Sequence, residues 1–319
     1  MEGASSRKLM RKQHLTTLCV ISYFLILVFT SVSCSISRIA SDMTAGIFKE
    51  GAPVFEQEGD VETAEISGLA MIKTLEVFNF QNPTNKVYLN LLARSYATYA
   101  FGFFETRMVQ YQFTDPEKYQ MYFDRAKGFY RKGKVFAMEF FQHKDPSLIG
   151  AIRKGLDPVR KRVSGYDRHD VEPLFWLAFN WGSFINLSKD DIAVVADLVL
   201  VEAMMAQIVK VYPGFFYGGP NMFYGVYYAS RPAMLGGNPV QAKEHFEAAS
   251  QTTGGKNLMV FALEAQFLAV QTMNRDLFNE MIQKVTDGSV EGLPQQRLAN
   301  ALAKQRVKYL QANASHYFN

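Results

Sequence analysis

The sequence predicts an all-α protein, and three observations carry that prediction. Leu89, Leu92, Ala93, Tyr96, Ala97, Ala100, Phe103 and Phe104 recur at three- and four-residue spacing, which lines one face of a helix. No comparable run of two-residue alternation occurs along the chain. Small and aromatic residues also fall at fixed offsets from helix-breaking Pro and Gly, as helix–turn–helix pairs require.

Those offsets resemble tetratricopeptide repeats. Leu89-x2-Leu92-Ala93-x2-Tyr96 matches the first helix of such a repeat, with Pro83 where the previous helix ends. Ala242-x3-Phe246-x2-Ala249 matches the second helix, with Gly237 at the preceding turn. Ala126-x3-Tyr130-x2-Gly133 is a fainter echo, and Pro213 closes a helix expected over 197–212. The spacing between echoes is irregular. The expectation is therefore degenerate helix pairs stacked into one curved α-solenoid-like domain over 61–319.

Ahead of that domain, Arg7, Lys8, Arg11 and Lys12 precede an apolar run, Leu15 to Val32, that ends in Ser31-Val32-Ser33-Cys34. A basic region, a short apolar region and small residues before a cut site describe an export signal, here 1–33. A cysteine directly after the site is what a lipoprotein needs, since its thiol takes the lipid. Cys34 is the expected attachment point, and Met10 is an alternative start. Ser31 departs from the Leu, Val or Ile usual three residues before that cysteine, so simple secretion and a retained anchor stay open. Residues 34–60 read as a lipidated N-terminus and linker, with a short helix around 39–48.

The four basic residues against Glu2 carry +3 of the net +4, which leaves the rest nearly neutral and unsuited to nucleic acid. Arg153, Lys154, Arg160, Lys161, Arg162 and Arg168 are the exception. They fall among Gly155, Pro158 and Gly165 and read as a solvated loop, or else as a contact for anionic headgroups or an acidic partner. Cys19 lies in the leader, so the mature chain holds one thiol and no internal disulfide. No second apolar run of membrane length is expected, and the core must hold the domain together.

Motifs for catalysis are missing: no GxSxG, no HExxH, no phosphate loop. His169-Asp170-x-Glu172 could be drawn as a metal cluster, but helix capping explains its acids. Asp190 and Asp191 read likewise as an N-terminal cap. No metal, cofactor or enzymatic activity is expected. The distinctive chemistry is aromatic: Tyr212, Phe215, Phe216, Tyr217, Phe223, Tyr224, Tyr227 and Tyr228 crowd around Gly218-Gly219-Pro220, with Trp176 and Trp181 upstream. Such residues serve as core or as the wall of a pocket for an amphipathic molecule. Arg231, on the same expected helix and three and seven residues from Tyr228 and Tyr224, shares a face with them. Trp176, Trp181, Tyr224, Tyr228 and Arg231 are the candidate ligand contacts.

Phe175-Trp176-Leu177-Ala178-x2-Trp181-Gly182, Ser230-Arg231-Pro232 with Gly236-Gly237, and Ala242-Lys243-x-His245-Phe246-x2-Ala249 appear in order. Cys34-Ser35-Ile36, Gly254-Gly255-Lys256 and Arg297-Leu298-Ala299-Asn300-x2-Ala303 complete the set. Together they resemble the T-component family of tripartite ATP-independent periplasmic (TRAP) transporters. The resemblance implies a non-enzymatic, periplasm-facing lipoprotein that forms a homotrimer with an apolar pore or cleft in each protomer. It implies a small hydrophobic or amphipathic ligand, such as an organic acid, and a periplasmic solute-binding protein as partner. Ser35 after Cys34 leans toward the outer membrane. The competing expectation is an exported interaction scaffold with no small-molecule site.

Overall fold

A computed structural model describes residues 14, 16–18, 22 and 38–318. Cys34, Ser31 and Met10 lie outside them. The chain divides into two units at the Phe48/Lys49 boundary. In the first, residues 38–48 are helical, as expected for 39–48. The second, 49–319, carries the body of the protein and has no strand among the described residues.

Residues 49–56 are helical, and then α1 (Val61–Gln81) and α2 (Lys86–Tyr99) follow. The chain winds into a π-helical turn at Ala100–Phe104 and continues as α3 (Glu105–Tyr111). The long α4 (Pro116–Lys144) leads to α5 (Pro146–Lys154), α6 (Leu156–Val163) and α7 (Val171–Asn186). Next come α8 (Ile192–Ala196), α9 (Leu198–Val211), α10 (Phe215–Ala229) and α11 (Pro239–Thr252). A second π-helical turn, Glu264–Ala269, extends α12 (Leu258–Leu263), and α13 (Arg275–Asp287), α14 (Arg297–Ala312) and α15 (Ala314–Tyr317) end the chain.

The starts of these helices are written in short polar residues. Asp115-Pro116, Asp145-Pro146 and Asn238-Pro239 each place a side-chain acceptor on the first free N–H groups and a proline at the first helical position. Asp60, Asn85, Asn257 and Asn274 cap α1, α2, α12 and α13 in the same way. Asp191 caps α8, accepting from Ala193 and Val194 at 3.0 and 3.2 Å, which is the capping role its position predicts.

Neighbouring helices pack through the small residues that the sequence picks out. Leu89, Ala93 and Ala97 of α2 enter one core with Ala137 and Phe141 of α4, Leu174 and Ala178 of α7, and Met204 and Ile208 of α9. Ala242, Phe246 and Ala249 are wholly buried on α11 against α10. An open solenoid keeps its first and last repeats apart; here α14 returns to pack on α1 and α3. Asn313 Nδ2 donates to the Val109 carbonyl at 2.8 Å, and Arg297 Nη1 to that of Gln57 at 2.8 Å. The helical array thus closes on itself, because its C-terminal helices carry the polar groups that bond the N-terminal ones.

Two expectations change. Residues 192–211 are long and apolar enough to cross a membrane, against the expectation that no second such run exists. Within it, α9 is a core helix: Leu200, Val201, Met204, Met205 and Ile208 are buried, so it is apolar nearly all round. Most of the basic stretch is no loop: Arg153 to Arg162 lie in α5 and α6, joined at Gly155, whose φ of 106° suits glycine alone, and only Arg168 falls in the turn that follows. Pro158 is accommodated because it falls in the first turn of α6.

Candidate functional site

A cavity of about 130 Å³ lies where α2, α7, α10 and α12 meet. Along α7, the residues Phe175, Trp176, Phe179, Gly182, Ser183 and Asn186 face it, a single stripe at helical spacing. From α10 it takes Gly219, Met222, Phe223, Val226 and Tyr227, and beyond that helix Ser230 and Arg231. Thr98, Phe101 and Glu105 on one side, and Leu263 and Phe267 on the other, come from the two stretches around the π-helical turns.

Three departures from regular helix converge here. Phe101 belongs to the first π turn and Phe267 to the second. The start of α10 is left-handed through Phe216, Tyr217 and Gly218, with φ of 44°, 56° and 91°. A left-handed non-glycine residue costs on the order of 1–2 kcal/mol. It persists because neighbours determine it: Asn257 Nδ2 holds the Tyr217 carbonyl at 3.1 Å, and a Cβ on Gly218 would stand 2.9 Å from the Ala249 oxygen. The turn aims the Phe216 ring into the cavity wall, 5.0 Å from Trp176. Strain of this kind and π turns both concentrate at functional sites.

Charge surrounds the apolar wall. Arg94, on α2, stacks 5.4 Å from the Phe216 ring and 5.8 Å from that of Trp176, and is ion-paired with Glu56 and, at 3.7 Å, Glu172. Burial lowers its pKa, against the pull of Glu172. Glu105 is buried in the wall and accepts from Tyr130 Oη at 2.5 Å. Its carboxyl is pushed up by burial, which Arg306 and that hydrogen bond only partly oppose. Arg306 is wholly buried; its Nη2 donates to the Phe101 carbonyl at 2.6 Å and its Nη1 to Gln266 Oε1 at 3.5 Å. One guanidinium thus joins the two π turns.

At the other edge the Arg231 guanidinium lies 3.4 Å over the Tyr227 ring. Lys189 stands near enough that Arg231 adds to burial in lowering its pKa. Among the described residues, no carboxylate forms an ion pair with either cation. The Trp176 indole N–H, in the wall, is also buried without a hydrogen-bond partner among them.

Of the five candidate contacts, Trp176 and Arg231 line the cavity and three do not. Trp181 faces away from the α7 stripe, with Lys134 Nζ 3.8 Å over its ring. Tyr224 and Tyr228 stack on His245 of α11 at 4.9 and 5.7 Å, one residue round the helix from Phe223 and Tyr227. Arg231 does not share their face, because α10 ends at Ala229 and helical spacing stops there. Tyr227, Phe223 and Phe216 are the wall residues that sequence reasoning passed over. The first two carry a signal in the 219, 222/223, 226/227, 230 stripe, whereas Phe216 is placed by a left-handed turn that no spacing rule describes. His169, Asp170 and Glu172 gather no metal-type group among the described residues. Asp170 instead pairs with Lys144 and Glu172 with Arg94.

Glu264, in the second π turn, is 6% exposed and burial pushes its carboxyl up to about 7. Lys284 and Glu280 of α13 and Glu247 and Lys243 of α11 act on it more weakly. Its folded pKa exceeds the unfolded 4.5, so stability is lost as pH rises from about 4.5 through about 7. Glu264→Gln should therefore be about 2–3 kcal/mol more stable than the parent at pH 8, with no difference in strong acid. Urea melts at the two pH values check this, and a constant difference would refute it.

The described residues form an all-α body whose helices enclose an aromatic-lined cavity, with Arg231 in its lining. A model of the family described as TRAP transporter T-component matches residues 57–318, and the chain belongs to that family. It is also 22% identical over 300 residues to an uncharacterised protein of Treponema pallidum (strain Nichols), covering 89% of this chain and 93% of that one. The family is a transport accessory rather than an enzyme family, associated with TRAP transporters in the cell envelope.

Proposed function

We propose that this T-component is a lipoprotein accessory that holds or passes a small amphipathic anion, apolar body in the cavity and carboxylate at Arg231. The observation that carries the reading is an apolar cavity lined in part by Arg231, which, like the neighbouring Lys189, has no ion-paired carboxylate among the described residues. An anion would relieve that repulsion, and the free Trp176 N–H offers a further donor. A cavity of this size is close to the roughly 150 Å³ that takes a benzene ring, which favours a body of about six carbons. The same reading places a lipid on Cys34, leaning toward the outer membrane, a periplasmic solute-binding protein as the docking partner, and a homotrimer as the assembled form. A scaffold without a small-molecule site would favour a filled aromatic cluster, and the cavity speaks against it.

Calorimetric titration with hexanoate and hexanol tests the reading. The parent should bind hexanoate roughly 10- to 100-fold more tightly, as a charge-assisted hydrogen bond implies. Arg231→Met should erase that preference while leaving hexanol unaffected. Equal binding of the two by the parent, or binding of neither, would defeat it.

A further inference from the structure

We propose that the α5–α6 hairpin is a membrane-contact surface, which lays the body against lipid carrying anionic headgroups. Arg153 and Lys154 end α5, Arg160 and Lys161 end α6, and all four are exposed. Among the described residues none of the four is in an ion pair, whereas Arg162 and Lys144 nearby are held by Asp145 and Asp170. Lys210 of α9 joins Arg160 along a groove of about 250 Å³ that Glu202 also lines. The apolar side of the hairpin is fixed in the core through Leu148, Val159 and Val163. The cations therefore point outward from a rigid mount rather than from a loop.

The position of the patch argues for a membrane over an acidic protein. Lys144, the last residue of α4, holds Asp170 just before α7, and Arg162 of α6 holds Asp145 at the start of α5, so the hairpin begins one residue beyond the contact with the N-terminal end of α7. At that same end Glu172, in the first turn of α7, meets Arg94, which also holds Glu56. Glu56 belongs to the segment leading back to Cys34 and the apolar run Leu15 to Val32. The chain that the N-terminal reading ties to the membrane thus joins the body at the end of α7 from which the basic hairpin starts. This inference rests on that reading. Each cation within a Debye length of an anionic surface raises local partition roughly fivefold. For a body already tethered, four or five such charges decide orientation.

The test uses the full chain with vesicles of phosphatidylcholine alone or mixed with phosphatidylglycerol. Lysine acetylation at Lys154 and Lys161 is read by mass spectrometry against exposed Lys243 on α11. In phosphatidylglycerol vesicles the hairpin lysines should be labelled at least roughly fivefold less than in phosphatidylcholine. High salt should abolish the protection, and Arg160→Glu with Lys161→Glu should expose Lys154. Equal labelling in both vesicles overturns the proposal, as does protection that appears only when a soluble acidic protein is added. Flotation separates the two readings. A chain that floats only with phosphatidylglycerol upholds the patch and sinks the tether, and one that floats with neither vesicle overturns the proposal.

Discussion

Arg306→Met should lower the unfolding free energy by about 3–5 kcal/mol, the usual result of removing one member of a buried charged network. The side chain is wholly buried and lies 4.7 Å over the Phe101 ring. It bonds the Phe101 carbonyl at 2.6 Å, Thr106 Oγ1 at 3.2 Å and Gln266 Oε1 at 3.5 Å. A π turn disturbs the regular carbonyl ladder, and the guanidinium donates to the Phe101 carbonyl within it. Its charge also eases the burial of Glu105. Methionine would fill the volume while removing these three hydrogen bonds and leaving the Glu105 carboxyl without its cation. Lysine should restore little, since it keeps the charge but loses the planar fork. Denaturant midpoints measure both variants. Because both π turns contribute to the cavity wall, hexanoate affinity should fall with stability. An Arg306→Met protein as stable as the parent would contradict this account of the closure.

Gly133→Ala should destabilise by about 2–4 kcal/mol, although alanine is the better helix former by about 1 kcal/mol. A Cβ at 133 would lie 2.1 Å from Asn180 Oδ1 and 2.8 Å from its Nδ2. Asn180 has no exposed surface, and its amide donates to the Ala93 carbonyl at 2.9 Å and to that of Trp176 at 2.7 Å. It therefore ties α2 to α7 while α4 crosses both at Gly133, and it has no room to move. Thermal melts should show the loss, and adding Asn180→Ala should recover part of it because the clash disappears. A rise in Tm for the single variant would mean that intrinsic propensity outweighs the contact.

Much of the helical content was legible because its signals are local. Pro83, Pro213 and the three Asp/Asn-Pro pairs mark ends that depend on missing N–H groups and side-chain acceptors, not on distant contacts. The pairing of small and large residues on α2 and α11 was legible for the same reason. The basic hairpin was misread because Gly155 and Pro158 look like loop residues until neighbouring helices fix them. The apolar stretch 192–211 was overlooked as a run of membrane length and proves to hold a core helix.

The site was legible only in outline. Aromatic density around 212–228 and the Trp176 segment pointed to the right helices, and Trp176 and Arg231 lie at the cavity. Tyr224, Tyr228 and Trp181 do not, because a position one residue away on a helix points about 100° elsewhere. The sequence by itself determined an all-α body, most of its helix ends and an apolar N-terminal run, since each follows from period, cap or composition. Tertiary structure alone decided the ring closure through α14, the two π turns joined by Arg306, the left-handed turn at Phe216 and hence the cavity. Each of those depends on groups at least 40 residues apart satisfying one another's buried polar atoms or filling one another's space, and no local pattern encodes such a meeting.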